Sequence, residues 1–97
     1  FKFIVGEDPT YRVIKQGSWK NDNTYGTIHR VASDGTIKGV FSQMVSFCEV
    51  ICPELRADTH KDNNVMQHLF EKNGFERCGV IYVENGTPRF AYQRCAR

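Results

Sequence analysis

The side chains of this 97-residue chain with most chemistry to offer are three imidazoles and four thiols. An imidazole changes charge near neutrality, so His29 and His60 are candidate general bases. His68 falls off the apolar positions of its segment and reads as solvated. Cys48 and Cys52 stand four apart in an apolar helical pattern, with Cys78 and Cys95 far downstream. No CxxC pair or finger spacing joins them, so the expectation is reduced, largely buried thiols and no metal site. No Ser/His/Asp spacing or pair of carboxylates points to hydrolysis. Arg89, Arg94 and Arg97 lie near the C-terminus, but the basic residues as a whole are dispersed among acidic ones. A nucleic-acid module would show a concentrated stripe and a motif, so no nucleic-acid partner is expected.

What positions these groups is bounded by composition. Lys and Arg number 13 against 11 Asp and Glu, a formal charge of +2, with 40% hydrophobic and 25% charged residues. That is the balance of one ordinary globular domain, residues 1–97, without linkers or repeats. No apolar run approaches the ~20 residues of a bilayer span, and the first residues do not read as a signal peptide. The expectation is a soluble, cytoplasmic protein without membrane contact.

The order of elements follows from periodicity. Residues 1–5 start a strand that ends in the turn residues Gly6, Asp8 and Pro9; a polar stretch over 15–25, holding the only tryptophan, Trp19, reads as a long loop. A second strand spans 26–32 and breaks at Ser33-Asp34-Gly35. Ile37, Val40, Phe41, Met44, Val45, Cys48, Ile51 and Cys52 then recur at helical steps, predicting a helix over about 36–51 that Pro53 ends. Leu55, Ala57 and Thr59 alternate with Arg56, Asp58 and His60 as in a short strand. Asp62 caps a second helix with the apolar face Val65, Met66, Leu69 and Phe70, stopped by Asn73-Gly74. Strands over 75–83 and 89–93 close a hairpin through Asn85-Gly86. The string β, loop, β, α, β, α, β, β implies an α/β fold: a mixed sheet with a parallel component, two main helices and a C-terminal hairpin.

Asn63, followed eight residues later by Glu71-Lys72-Asn73-Gly74-Phe75, resembles a pattern of the GNAT acetyltransferases. Ile28 to Ala32 is similar to their central strand, and Val80 to Tyr92 to the closing hairpin of bacterial members. The resemblance spans nearly the whole chain but only the C-terminal two-thirds or so of the family domain. It implies a partial GNAT fold in which further N-terminal strands and helices, which help form the acceptor side, would precede Phe1. The function it implies is transfer of an acetyl group from acetyl-CoA to a small-molecule or peptide amine by direct attack. The alternative is a noncatalytic acyl-CoA-binding or interaction module. An exposed edge on the first strand would also favour a homodimer.

The resemblance distributes roles as well. The turn through Gly35, Thr36, Lys38, Gly39 and Val40 would take the CoA pyrophosphate, as backbone N–H groups at a helix start form an anion site. Gly39 matches a family glycine there, whereas Thr36 and Phe41 depart from the usual Arg or Gln and small residue. Val31, Ala32 and Ser33 would pair with the pantetheine arm, and Asn63 would contact the cofactor. Phe70 stands where many members carry a proton-donating Tyr, leaving Tyr82 or Tyr92 as substitutes. His29 and His60 are the imidazoles near the expected cleft.

Overall fold

The computed structural model describes residues 2–29 and 37–96, with the backbone alone for Ile37 and Lys38. The strands are β1 (Lys2–Val5), β2 (Gly26–His29), β3 (Leu55–Thr59), β4 (Glu76–Tyr82) and β5 (Pro88–Arg94), and the helices α1 (Ile37–Ile51) and α2 (Asn64–Lys72). They form one five-stranded sheet in the order β1-β2-β3-β5-β4. β2 and β3 run parallel and the other neighbours antiparallel, the mixed sheet that the element order implies.

Successive strand residues point to opposite faces, and the two faces are covered differently. On one, Ile28, Leu55, Ala57 and Tyr92 meet Phe41, Met44, Val45 and Cys48 of α1 and Met66, Leu69 and Phe70 of α2. The Phe70 ring lies 5.6 Å from Phe41, 5.4 Å from Phe75 and 4.9 Å from Tyr92, a packed aromatic cluster. The buried stripe is narrower than the apolar spacing suggested: Val40, Ile51 and Val65 are exposed, because the helices present one stripe each to a flat sheet. The cap of α2 is Asn63, one residue after the expected Asp62; its Oδ1 accepts the Met66 N–H at 3.1 Å.

The other face is covered by residues 6–25. This segment leaves β1 at one edge of the sheet and reaches the opposite edge, where Lys15 and Val80 of β4 exchange two backbone hydrogen bonds of 2.8 Å. It then returns to β2. Its own Tyr11 and Tyr25 are buried against Ile81 and Ala91 of the sheet, and Ile14, Trp19 and Val83 pack alongside. The stretch expected to be a polar loop is therefore a strap. Arg56, the outward member of an alternating strand by its sequence, is 4% exposed beneath it. Its guanidinium sits 4.1 Å from the Trp19 ring centre and 3.8 Å from that of Tyr25, and donates to the Asn21 carbonyl at 3.0 Å. Close approach to β4 requires glycine: a Cβ on Gly17 would lie 1.9 Å from the Cys78 carbonyl oxygen.

Candidate functional site

β2 and β3 register only at Gly26–Leu55 and Thr27–Arg56. Beyond Thr27, β2 continues against β1 as far as His29, and β3 continues against β5 as far as Thr59. The parallel pair thus separates while each strand keeps its outer neighbour. A cleft of about 650 Å³ opens at the separation, lined by residues that include Ile28, His29, Asp58, Thr59, His60, Asn63 and Phe70. Thr10 and Tyr11 of the strap and Val83, Glu84 and Arg89 of the terminal hairpin complete the wall.

Four residues singled out in the sequence, His29, His60, Asn63 and Phe70, meet in this cleft. They arrive from different elements: His29 ends β2, His60 follows β3, Asn63 caps α2 and Phe70 belongs to its second turn. Gly39 and Val40 are exposed near the start of α1 and do not line the cleft. Val31, Ala32, Ser33, Gly35 and Thr36 lie outside the described residues, as does the side chain of Lys38.

The two imidazoles differ in which nitrogen is engaged. His60 Nδ1 receives the Asp62 backbone N–H at 3.1 Å. A backbone amide only donates, so Nδ1 carries a lone pair and neutral His60 holds its proton on Nε2. His29 has Nε2 3.1 Å from Asp8 Oδ2, which leaves Nδ1 as its second ring nitrogen. A carboxylate only accepts, so neutral His29 has the proton on Nε2 and the lone pair on Nδ1. Of the two, His29 is the one whose lone pair is not already committed among the described residues.

A second polar group lies beside it. Tyr11 donates its phenol proton to Asp58 Oδ2 at 2.6 Å, and Arg89 approaches Oδ1 of the same carboxylate at 3.4 Å. Burial, with the Asp58 charge and this hydrogen bond adding to it, pushes the Tyr11 phenol well above its ordinary value. Tyr11 is consequently a neutral hydroxyl. Phe70 has no proton to give, Tyr92 is buried in the helix-side core, and Tyr82 stands exposed on β4. Neither of those tyrosines lines the cleft, whereas Tyr11 does. The cysteines are free thiols and none lines the cleft; Cys48 and Cys52 are buried and Cys78 and Cys95 half-buried.

Asp8, Tyr11, Asp58 and Arg89 had no place among the sequence candidates. Asp8 and Tyr11 stand in what reads as turn chemistry, and their partners are 21 and 47 residues away. One local signal was available. Asp8 followed by Pro9 is a helix-start pair, and Asp8 does cap the single 3-10 turn Pro9–Tyr11, accepting the Thr10 N–H at 2.9 Å.

No helix among the described residues is long and apolar enough to cross a membrane. No family model matches the sequence, and no curated protein matches it either. Among solved structures, the chain is similar to an acetyltransferase of the GNAT family from Streptococcus agalactiae 2603. The two share 32% sequence identity with a TM-score of 0.83, over 98% of this chain and 57% of that one. A GNAT-family acetyltransferase from Bacillus cereus ATCC 10987 is 22% identical with a TM-score of 0.49, over 76% of this chain and 54% of the other. The chain therefore spans little more than half the length of these relatives. Over nearly every one of its residues, this chain is similar in sequence and in fold to the first of these GNAT-family acetyltransferases.

Proposed function

We propose that this chain carries the acetyl-CoA side of an N-acetyltransferase, with the acceptor amine held in the cleft between β2 and β3 and acetylated by direct attack. The observation that supports this reading is the separation of the parallel strands into a cleft that holds an imidazole whose second ring nitrogen has no partner among the described residues. Strand edges that have lost their ladder suit the extended, amide-bearing arm of an acyl-CoA, whose peptide-like groups pair with backbone. Acetyl-CoA supplies an activated acetyl thioester. Val31, Ala32 and Ser33 are assigned to its arm, and Gly35, Thr36, Lys38, Gly39 and Val40 to its pyrophosphate at the start of α1. Asn63, with Oδ1 engaged as the helix cap, keeps its amide N–H groups for the cofactor, and Phe70 lends an apolar wall.

In this reading His29 Nδ1 takes the proton that the neutral attacking amine loses, and the Nε2–H of His60 donates a hydrogen bond within the same cleft. Both act from fixed positions, so geometry carries much of the rate. Phe70 favours a second reading, an acyl-CoA-binding module without turnover, because it offers no proton to a departing thiolate. A homodimer is also part of the proposal. It rests on β1, which pairs on one side with β2 and exposes Ile4 and Val5. A monomeric mass at high concentration would rule that dimer out.

The test is release of free CoA thiol when the chain meets acetyl-CoA and a panel of primary amines, read beside thermal unfolding with acetyl-CoA. Turnover that falls about 10²- to 10⁴-fold in His29→Ala, with the thermal shift retained, is the expected result. A thermal shift without turnover selects the binding module. Neither signal, for any amine, overturns both.

A further inference from the structure

His29 does not stand alone: its Nε2 is paired with the carboxylate of Asp8, a residue held by two further hydrogen bonds. Asp8 Oδ2 lies 3.1 Å from Nε2, Oδ1 accepts the Thr10 backbone N–H at 2.9 Å, and the Asp8 backbone N–H donates to the Tyr25 hydroxyl at 2.8 Å. Both side chains are largely shielded, with 29% of the imidazole and 18% of the carboxylate exposed. Asp8 is not a lining residue of the cleft and reaches it only through His29. A capping interaction alone would need one carboxylate oxygen; the second is turned to the ring.

We infer that Asp8 is a positioning residue that holds neutral His29 in the Nε2–H form, so that the Nδ1 lone pair is available to a proton in the cleft. This deepens the acetyl-transfer reading and rests on it for its catalytic meaning. The atoms balance without a co-reactant. The amine proton moves to Nδ1, the amine nitrogen bonds to the acetyl carbon, and the carbon–sulfur bond breaks to leave a thiolate. The imidazolium that forms is stabilised by the Asp8 carboxylate, whose own proton content does not change.

The strap explains why the pairing is specific to this chain's architecture. Asp8 precedes the 3-10 turn at Pro9–Tyr11, and that turn delivers Tyr11 to Asp58 on the neighbouring strand. One short turn therefore orients the carboxylate toward β2 and the phenol toward β3, on the two sides of the cleft.

Asp8→Asn is the discriminating variant. Asn caps as well as Asp, so its amide oxygen keeps the Thr10 N–H and the fold is retained. The amide nitrogen then takes the place of Oδ2 and can only donate. Nε2 must accept, and the neutral ring switches to the Nδ1–H form with no lone pair toward the cleft. Long-range nitrogen–proton NMR of 15N-histidine-labelled protein, assigned with His29→Ala, reads the tautomer directly. The expected result is Nε2–H in the parent chain and Nδ1–H in Asp8→Asn, with kcat down at least tenfold and the KM for acetyl-CoA unchanged. The same tautomer in both proteins overturns the inference, as does a switched tautomer with undiminished kcat. If the parent chain turns over no amine, the acetyl-transfer reading fails alone, because the tautomer measurement still decides whether Asp8 sets the ring.

Discussion

The two faces of the sheet reach burial by different means. On the helix face, apolar side chains from α1 and α2 interlock with Leu55, Ala57 and Tyr92, and a single ion pair, buried Arg94 of β5 to Glu49 of α1 at 2.6 Å, lies beside them among the described residues. On the strap face, Arg56 lies between two aromatic rings, Gln93 Oε1 receives the Lys20 backbone N–H at 2.9 Å, and the Trp19 indole donates to the Tyr11 carbonyl at 2.9 Å. One face is held mainly by area and shape, the other mainly by directed contacts between irregular backbone and sheet. The difference teaches where function can be placed. His29, Asp58 and Arg89 belong to the directed side, where Asp8 pairs with His29 and both Tyr11 and Arg89 reach Asp58. Asn63 and Phe70 come from the helix side, so the cleft lies where the two kinds of packing meet.

The comparison can be broken from the apolar side first. Phe70→Ala empties a site that is 1% exposed among three rings, and the expected loss is about 3–5 kcal/mol in denaturant unfolding. A loss below about 1 kcal/mol would mean the cluster relaxes and is not the main support. Arg56→Ala removes a cation shared by Trp19 and Tyr25 and a charged donor to Asn21, and should cost about 2–3 kcal/mol. Its signature is local: in hydrogen exchange, the Lys15 and Lys20 amides should lose protection before those of β3 and β5. Uniform loss would show that the strap has no separate existence.

Gly17→Ala forces backbone apart where the strap meets β4 and should cost about 1–3 kcal/mol, again with the Lys15 amide exposed first. Tyr11→Phe is the mildest, about 1–2 kcal/mol for the lost donor to Asp58, but it carries a pH signature. Burial raises the Tyr11 phenol in the folded chain, so the folded state holds that proton more tightly than the unfolded one. The associated stability is complete below the unfolded value of about 10 and is lost as pH rises toward the folded one. Tyr11→Phe should therefore flatten the alkaline limb of stability above about pH 10, measured by midpoint against pH. Tyr92, also pushed up by burial, leaves a residual slope.

The helix face was legible because its signals are local. Phe41, Met44, Val45 and Cys48 repeat with the period of α1, Asn73-Gly74 stops α2, and Asn85-Gly86 marks the turn before β5. The exposure of Val40 and Ile51 was not, since which of several apolar neighbours faces a sheet is decided by the sheet. Residues 15–25 do form a long loop, but its packing across the sheet was not legible for the same physical reason. Its polar residues between 15 and 25 look like solvent-seeking chain, but Trp19 and Tyr25 among them required burial against something distant. The candidate site divides along that line too. His29, His60, Asn63 and Phe70 could be named from residue type and resemblance, while Asp8 and Tyr11 became meaningful only when folding set them beside β2 and β3.

The strap's course from one sheet edge to the other also bears on the order of folding. Lys15 meets Val80 and Lys20 meets Gln93, pairs separated by 65 and 73 residues, so they reward the chain only after β4 and β5 are in place. The helix-side contacts do not depend on them, so the strap is expected to dock late, which Gly17→Ala would show by speeding unfolding while leaving the folding rate unchanged. Contacts made after the rate-limiting step slow unfolding without speeding folding, so the segment that holds Asp8 and Tyr11 in the cleft acts as a latch on an already assembled sheet.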